Sequence, residues 1–187
     1  MTATTKSTLC VLAVLALGWA GGAQAREVYA GNVLAESGGT SRRLKIVVDE
    51  FTPPEETARL LAVLKEKGER GLELAMSKLD VGRMQIGDIQ SYPIATAQVY
   101  ENRELNTRRL VLVISRPISY NEFARGGHSK DYPYTFVELA MDGPGIDDSG
   151  SGEMLAVAKI ELEDDGTVKI ENLEARPRRI LKISRSE

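Results

Sequence analysis

The chain has one cysteine, one tryptophan and one histidine among its 187 residues. A single cysteine excludes a disulfide framework, a thiolate zinc site and an iron–sulfur cluster. A single histidine excludes every mechanism that needs two. No apolar run reaches the ~20 residues that a spanning helix requires. Neither sign of charge dominates, the formal net charge being -3. A weakly acidic chain has no global positive field with which to recruit nucleic acid. Hydrophobic residues at 42% and charged residues at 27% are ordinary globular usage and argue against disorder.

The scarce residues are scarcer still after processing. Residues 1–6 are polar and end in Lys6, Leu9 to Trp19 is apolar, and Ala23 and Ala25 stand two apart before Arg26. A charged start, a short apolar core and an A-x-A site define a secretory signal peptide. Cys10 lies near the start of the apolar core rather than after it, so the lipoprotein route is not indicated. Cleavage after Ala25 leaves residues 26–187 as a single exported α+β domain, periplasmic or extracellular, with no transmembrane segment. Cys10 and Trp19 depart with the signal, so thiol chemistry leaves too. Such a domain is held by its core alone, which suffices at about 150 residues.

Patterning gives the fold class. Val28 to Glu36 and Leu44 to Phe51 read as a strand pair around the turn cluster Ser37-Gly38-Gly39-Thr40-Ser41. Thr52-Pro53-Pro54-Glu55 has the form of a capping box, with Thr52 as the cap. Leu60, Leu61, Val63 and Leu64 then share a helical face, Gly68 ends the helix, and Leu72, Ala75, Met76 and Leu79 mark a second one. Asp80 to Ser91 reads as irregular. Strands follow at Ile94–Glu101, Leu110–Ile114, Tyr134–Met141, Met154–Glu163, Val168–Ile170 and Ile180–Ile183, with a hairpin turn at Asp164-Asp165-Gly166. The expectation is a mostly antiparallel sheet of about eight strands, able to curl into an open barrel or sandwich. A helical hairpin is inserted after the second strand.

Candidate sites are few. The stretch from Arg116 to Pro133 is long for an antiparallel connection, and long loops on rigid sheets often carry function. It supplies the candidate ligand-binding residues Arg116, Tyr120, Arg125, His128 and Tyr132. His128, with Asp131 three residues on and Tyr132 beside it, is the candidate catalytic group, because only His has an unperturbed pKa near neutrality. A solvated loop with an incidental His is the plainer reading. Asp142 to Glu153 begins and ends like an EF-hand loop, and Asp142, Asp147, Asp148 and Glu153 are weak metal candidates. Pro144, Ile146 and Asp147 occupy positions where such a loop needs ligands and Gly. Gly38-Gly39-Thr40-Ser41 has the makings of an anion nest but is explained by a turn. Arg176, Arg178, Arg179, Lys182 and Arg185 make the C-terminus basic; an edge strand carrying protective charges accounts for them. No cofactor motif is present.

Ser37 to Ser41, Leu60 to Leu64, Leu79-Asp80-Val81-Gly82-Arg83, Arg116-Pro117-Ile118-Ser119 and Asp131-Tyr132-Pro133 together resemble an uncharacterised group of exported bacterial proteins. The resemblance implies a bacterial source and export, and it brings no catalytic residues. The function expected first is a non-enzymatic exported domain that binds a small ligand or an envelope partner. The alternatives are a hydrolase or isomerase using His128 and Asp131, and an envelope-assembly adaptor using the basic C-terminus.

Overall fold

A period of two sends alternate side chains of a strand to opposite faces. In the run from Arg42 to Val48 that period buries Leu44, Ile46 and Val48 and leaves Arg43 and Lys45 in water. The computed structural model describes residues 26–34, 40–88, 90–102, 104–118, 131–143, 149–163, 165–174 and 176–186. Among them are β1 (Glu27–Leu34), β2 (Ser41–Val48), α1 (Pro54–Met76), β3 (Gly82–Ile86), β4 (Gln90–Ile94) and β5 (Thr96–Asn102). There follow β6 (Thr107–Ile114), β7 (Tyr134–Met141), β8 (Ser149–Leu162), β9 (Val168–Asn172) and β10 (Arg178–Arg185). The architecture is α+β. The strands form one antiparallel sheet in the order β4-β3-β2-β1-β10-β8-β7-β6-β5, with β9 on the second half of β8.

The two outermost strands of that order are neighbours in the chain. Only Ala95 separates β4 from β5, and its N–H donates to the Val113 carbonyl of β6 at 2.8 Å. One bent stretch therefore borders β3 before Ala95 and β6 after it. The sheet curls into a nearly closed barrel, which hides edges that would otherwise template association.

Two apolar clusters follow from the curl. Inside lie Leu44, Ile46 and Val48 of β2, Leu110, Leu112 and Ile114 of β6, and Val137, Leu139 and Met141 of β7. On the outer face, Leu60, Leu64, Leu72 and Met76 of α1 cover Tyr134, Phe136, Val113, Ala158 and Ile160. The ladders are irregular on both sides of β10: the register with β1 shifts between Ala30 and Asn32, and that with β8 between Ile180 and Ile183. Gly31 stands at the first shift, where a Cβ would come within 2.9 Å of the Ile183 side chain.

Four expectations change. There are ten strands among the described residues rather than about eight, because β3 and β4 occupy the stretch read as irregular. A single helical element replaces the helical hairpin, interrupted at Gly68, whose φ of 66° and ψ of -168° are non-helical. Thr52 does not cap α1. It exchanges hydrogen bonds with Ala97 instead, its N–H donating to the Ala97 carbonyl at 2.7 Å and its Oγ1 accepting from the Ala97 N–H at 2.9 Å. The N-cap is Pro53, with no side-chain bond. The basic strand β10 is internal, paired to β1 and β8, so its charges do not protect an edge.

One end of the barrel holds charge. Glu27 and Arg108, each 3% exposed, share the inward phase of Val33 and Leu110. Arg108 Nη2 donates to both Glu27 oxygens, at 2.9 and 2.8 Å, and the Tyr29 hydroxyl donates to the same carboxylate. Arg185 Nη2 lies 3.3 Å from Glu27 Oε1, and the Arg108 guanidinium lies 5.8 Å from the centre of the Phe51 ring. Removing one partner of a buried pair strands the other charge and costs about 3–5 kcal/mol, whereas an apolar replacement of the whole set is often neutral. Glu27→Ala is expected to lower the denaturant-unfolding free energy by about that amount. Glu27→Leu, Tyr29→Phe and Arg108→Met together are expected to recover most of it. A single variant as stable as the parent would show that the pair contributes nothing.

Tyr134 lies under α1, fully buried, with its ring 6.2 Å from Phe136 in an edge-on contact. Its hydroxyl has no hydrogen-bond partner. An unmade buried hydrogen bond costs about 1–3 kcal/mol. Tyr134→Phe is therefore expected to stabilise the fold by about 1 kcal/mol, read as a raised thermal midpoint. A lowered midpoint would mean that the hydroxyl is solvated after all.

Candidate functional site

The barrel end opposite the Glu27 pair is shaped by a bulge. Tyr134 pairs with Ala158 but Phe136 with Leu155, so β8 carries an extra residue there. The Ala156 carbonyl, freed from the ladder, accepts from the Ile118 N–H at 2.7 Å and from the Thr135 hydroxyl at 2.8 Å. The same hydroxyl lies 2.9 Å from the Arg116 carbonyl. These bonds fold the segment after β6 under the barrel, and Ile118 joins the interior cluster. Arg116 is thereby fixed at the barrel end.

Arg116 lies over a ring. Its guanidinium is 5.5 Å from the centre of Tyr92, a β4 residue 2% exposed and part of the interior cluster. Burial pushes the Tyr92 hydroxyl pKa up, and Arg116, Arg178 and Arg42 pull it back in that order of effect. Arg42 opens β2 in the inward phase of Leu44, and Arg178 opens β10 in the phase of Ile180. Arg178 is held by Glu174, with its Nε donating at 3.1 Å. Arg42 and Arg116 are exposed, and neither makes an ion pair among the described residues. Arg116 thus lies over a buried aromatic ring just beyond the end of β6.

Tyr132 borders the same end and packs against the interior cluster. Its hydroxyl donates to Glu171 Oε1 at 2.9 Å, and Lys159 Nζ lies 5.3 Å from its ring centre. The bond to Glu171 is the main reason its pKa rises. The same bond, with Lys159 beside it, lowers the Glu171 pKa. Lys159 is bound to Glu161 at 2.5 Å and to Glu171 at 3.3 Å, and the Glu161 bond leads in raising its pKa. A phenol and an ammonium that hold their protons this firmly are poor bases and nucleophiles at neutral pH.

Of the residues singled out from sequence, Arg116 lies over Tyr92 and Tyr132 is bonded to Glu171, with no contact between the two. Asp131 is exposed beside Tyr132. Tyr120, Arg125 and His128 lie outside the described residues, as do Gly38, Gly39, Asp147 and Asp148. Asp142 and Glu153 are apart: Asp142 closes the turn to Ser149, accepting its hydroxyl at 3.1 Å, and Glu153 is four residues further along β8. That spacing is about 13 Å of strand. Among the described residues no three His, Cys, Asp or Glu side chains gather as a metal site. The basic C-terminus is divided, with Arg178 and Arg185 turned to Glu174 and Glu27 and Arg179 opposite Glu153.

Arg42 and Tyr92 were not singled out from sequence, and Arg178 was singled out only within the basic C-terminus. Their signal is phase, since Arg42 and Arg178 each stand two residues before a buried apolar residue. No protein family, curated protein or solved structure matches this chain. No helix among the described residues is long and apolar enough to cross a membrane.

The tyrosines give a pH test. Tyr29, Tyr92 and Tyr134 have raised pKa values, chiefly through burial. Unfolded phenols titrate near 10. The folded state therefore keeps protons that the unfolded state loses above about pH 10. Their contribution is fully present below that pH and fades as pH rises. Tyrosinate absorbance and circular dichroism followed together should show these phenols ionising only as strand signal disappears. Complete ionisation with the sheet intact would contradict their burial.

Proposed function

We propose that the chain is an exported, non-enzymatic binding domain that meets a small ligand or an envelope partner at the Arg116–Tyr92 end of the barrel. The observation that carries this reading is the exposed Arg116 guanidinium, 5.5 Å from the centre of the buried Tyr92 ring. A guanidinium without a carboxylate partner, placed over an aromatic face, is suited to recognition. The signal-like residues 1–25, and the resemblance of several segments to exported bacterial proteins, support export. Among the described residues at this end, Tyr132, Lys159 and Glu171 bind one another, and Asp131 stands exposed beside Tyr132.

Native mass spectrometry of the chain recovered from the cell envelope tests the reading. The parent is expected to carry a bound molecule, or to acquire one from envelope extract, and Arg116→Ala to lose it. A parent that stays empty in both preparations would remove this function.

A further inference from the structure

We infer that two copies of the chain join edge to edge through β9, as an antiparallel two-fold pair centred on Ile170. The strand lies off the path of the barrel, and among the described residues it pairs with β8 alone. The bonds at its two ends decide which backbone groups face outward. The Glu163 N–H donates to the Thr167 carbonyl at 2.8 Å, and the Leu173 N–H donates to the Val157 carbonyl at 2.9 Å. The register between β8 and β9 is continuous between those pairs. Bonded and non-bonded pairs alternate along an antiparallel ladder. Lys169 and Glu171 therefore turn their N–H and C=O groups to β8, and Val168, Ile170 and Asn172 turn theirs to the open side. The strand has five residues, none of them proline or glycine. Such an edge is a template for another strand.

Charge selects the occupant and its register. When two open β9 edges meet antiparallel, Val168, Ile170 and Asn172 of each copy occupy the bonding positions. Centring the pair on Ile170 overlaps the whole strand and sets Lys169 opposite the partner's Glu171, twice by symmetry. Centring it on Lys169 would set lysine against lysine, and centring it on Glu171 would set glutamate against glutamate. Opposite charges directly across a ladder favour pairing, and like charges oppose it. The Lys169 and Glu171 side chains are 40% and 42% exposed. Each has a partner in its own chain: Lys169 lies 3.6 Å from Glu163, and Glu171 accepts from Tyr132 and lies 3.3 Å from Lys159. An ammonium and a carboxylate each take several hydrogen bonds, so both retain capacity for the second copy. The other face of the strand continues the layer under α1, where Leu162 and Ile170 pack against the outer apolar cluster. A two-fold axis normal to the sheet sets Ile170 beside the partner's Ile170 and extends that layer across the axis. One short strand per copy is a small interface, so the pair is expected to exchange with monomer.

Sedimentation velocity over a range of concentrations tests the pair, using the parent, Lys169→Glu, Glu171→Lys, an equal mixture of those two variants, and Lys45→Glu. Lys45 is exposed on the outer face of β2 and controls for diffuse charge. The parent is expected to dimerise as concentration rises, and Lys169→Glu to weaken the dimer about tenfold. Glu171→Lys should weaken it as well, while the mixture restores it, because each copy then meets opposite charges on the other. Lys45→Glu should leave it unchanged. Amide hydrogen exchange read by NMR locates the contact: Val168, Ile170 and Asn172 are expected to gain protection with concentration. That readout and Lys169→Glu carry the test where circular dichroism shows that Glu171→Lys, which loses Tyr132 and Lys159, has disturbed the fold. A parent that stays monomeric overturns the inference. So does a dimer that ignores Lys169→Glu, one weakened equally by Lys45→Glu, or one that forms with those three amides still exchanging.

Discussion

The barrel is braced from within by one carboxylate. Glu27 sits at the start of β1, and its partners come from the same strand (Tyr29), from β6 (Arg108) and from β10 (Arg185). The strand β1 joins two parts of the sheet, β2-β3-β4 on one side and β10-β8-β7-β6-β5 on the other. The bond to Arg108 crosses the interior between strands that share no ladder. Two charges in so dry a place are costly unless each is satisfied, which is why four groups collect there. A slip by one residue would turn the inward apolar side chains of β1 to the outer face, and Glu27 with them, leaving Arg108 without its acceptor.

The two ends of the barrel then differ in electrostatic character. At the Glu27 end, Glu27 and Glu101 face Arg108 and Arg185, and the charges balance. At the Tyr92 end, Arg178 is paired with Glu174 and Arg116 lies over the Tyr92 ring. Between them the interior is filled with Leu, Ile, Val and Met side chains. Ile118 and Tyr92 belong to this interior cluster, so the ring beneath the Arg116 guanidinium is itself part of the core.

Much of the sheet was legible from alternation and from turn residues: β2, β6, β7 and the β8–β9 hairpin stand where the pattern placed them. The strands β3 and β4 were not legible. They are short, Gly82 opens β3, Pro93 lies in β4, and polar side chains such as Arg83 and Gln85 break up their apolar positions. Partnership across the chain was equally hidden. Glu27 and Arg108 are 81 residues apart, and nothing in either neighbourhood announces the other. Their phase with buried neighbours was readable, but an inward charge is credible only once its partner is known. For the same reason β10 read as an edge until strand order placed it between β1 and β8.

The helix shows how one residue reconciles a pattern with a surface. Its buried residues stand at Leu60, Leu64, Leu72 and Met76, spaced by fours and eights. At 3.6 residues per turn each step of four drifts by about 40°, so on a straight helix Met76 would lie about 160° round from Leu60. Both could not then reach one cluster on the sheet. Gly68 occupies the missing member of the series, at the centre, with a positive φ that other residues rarely adopt. No atom crowds its position, so glycine is required there for its backbone and not for space. The interruption resets the phase and returns Leu72 and Met76 to Tyr134, Phe136 and Ile160, where Leu60 and Leu64 already lie. Two apolar patterns separated by a glycine invite a reading as two helices, and in physical terms they are two stretches that needed separate orientations to cover one face.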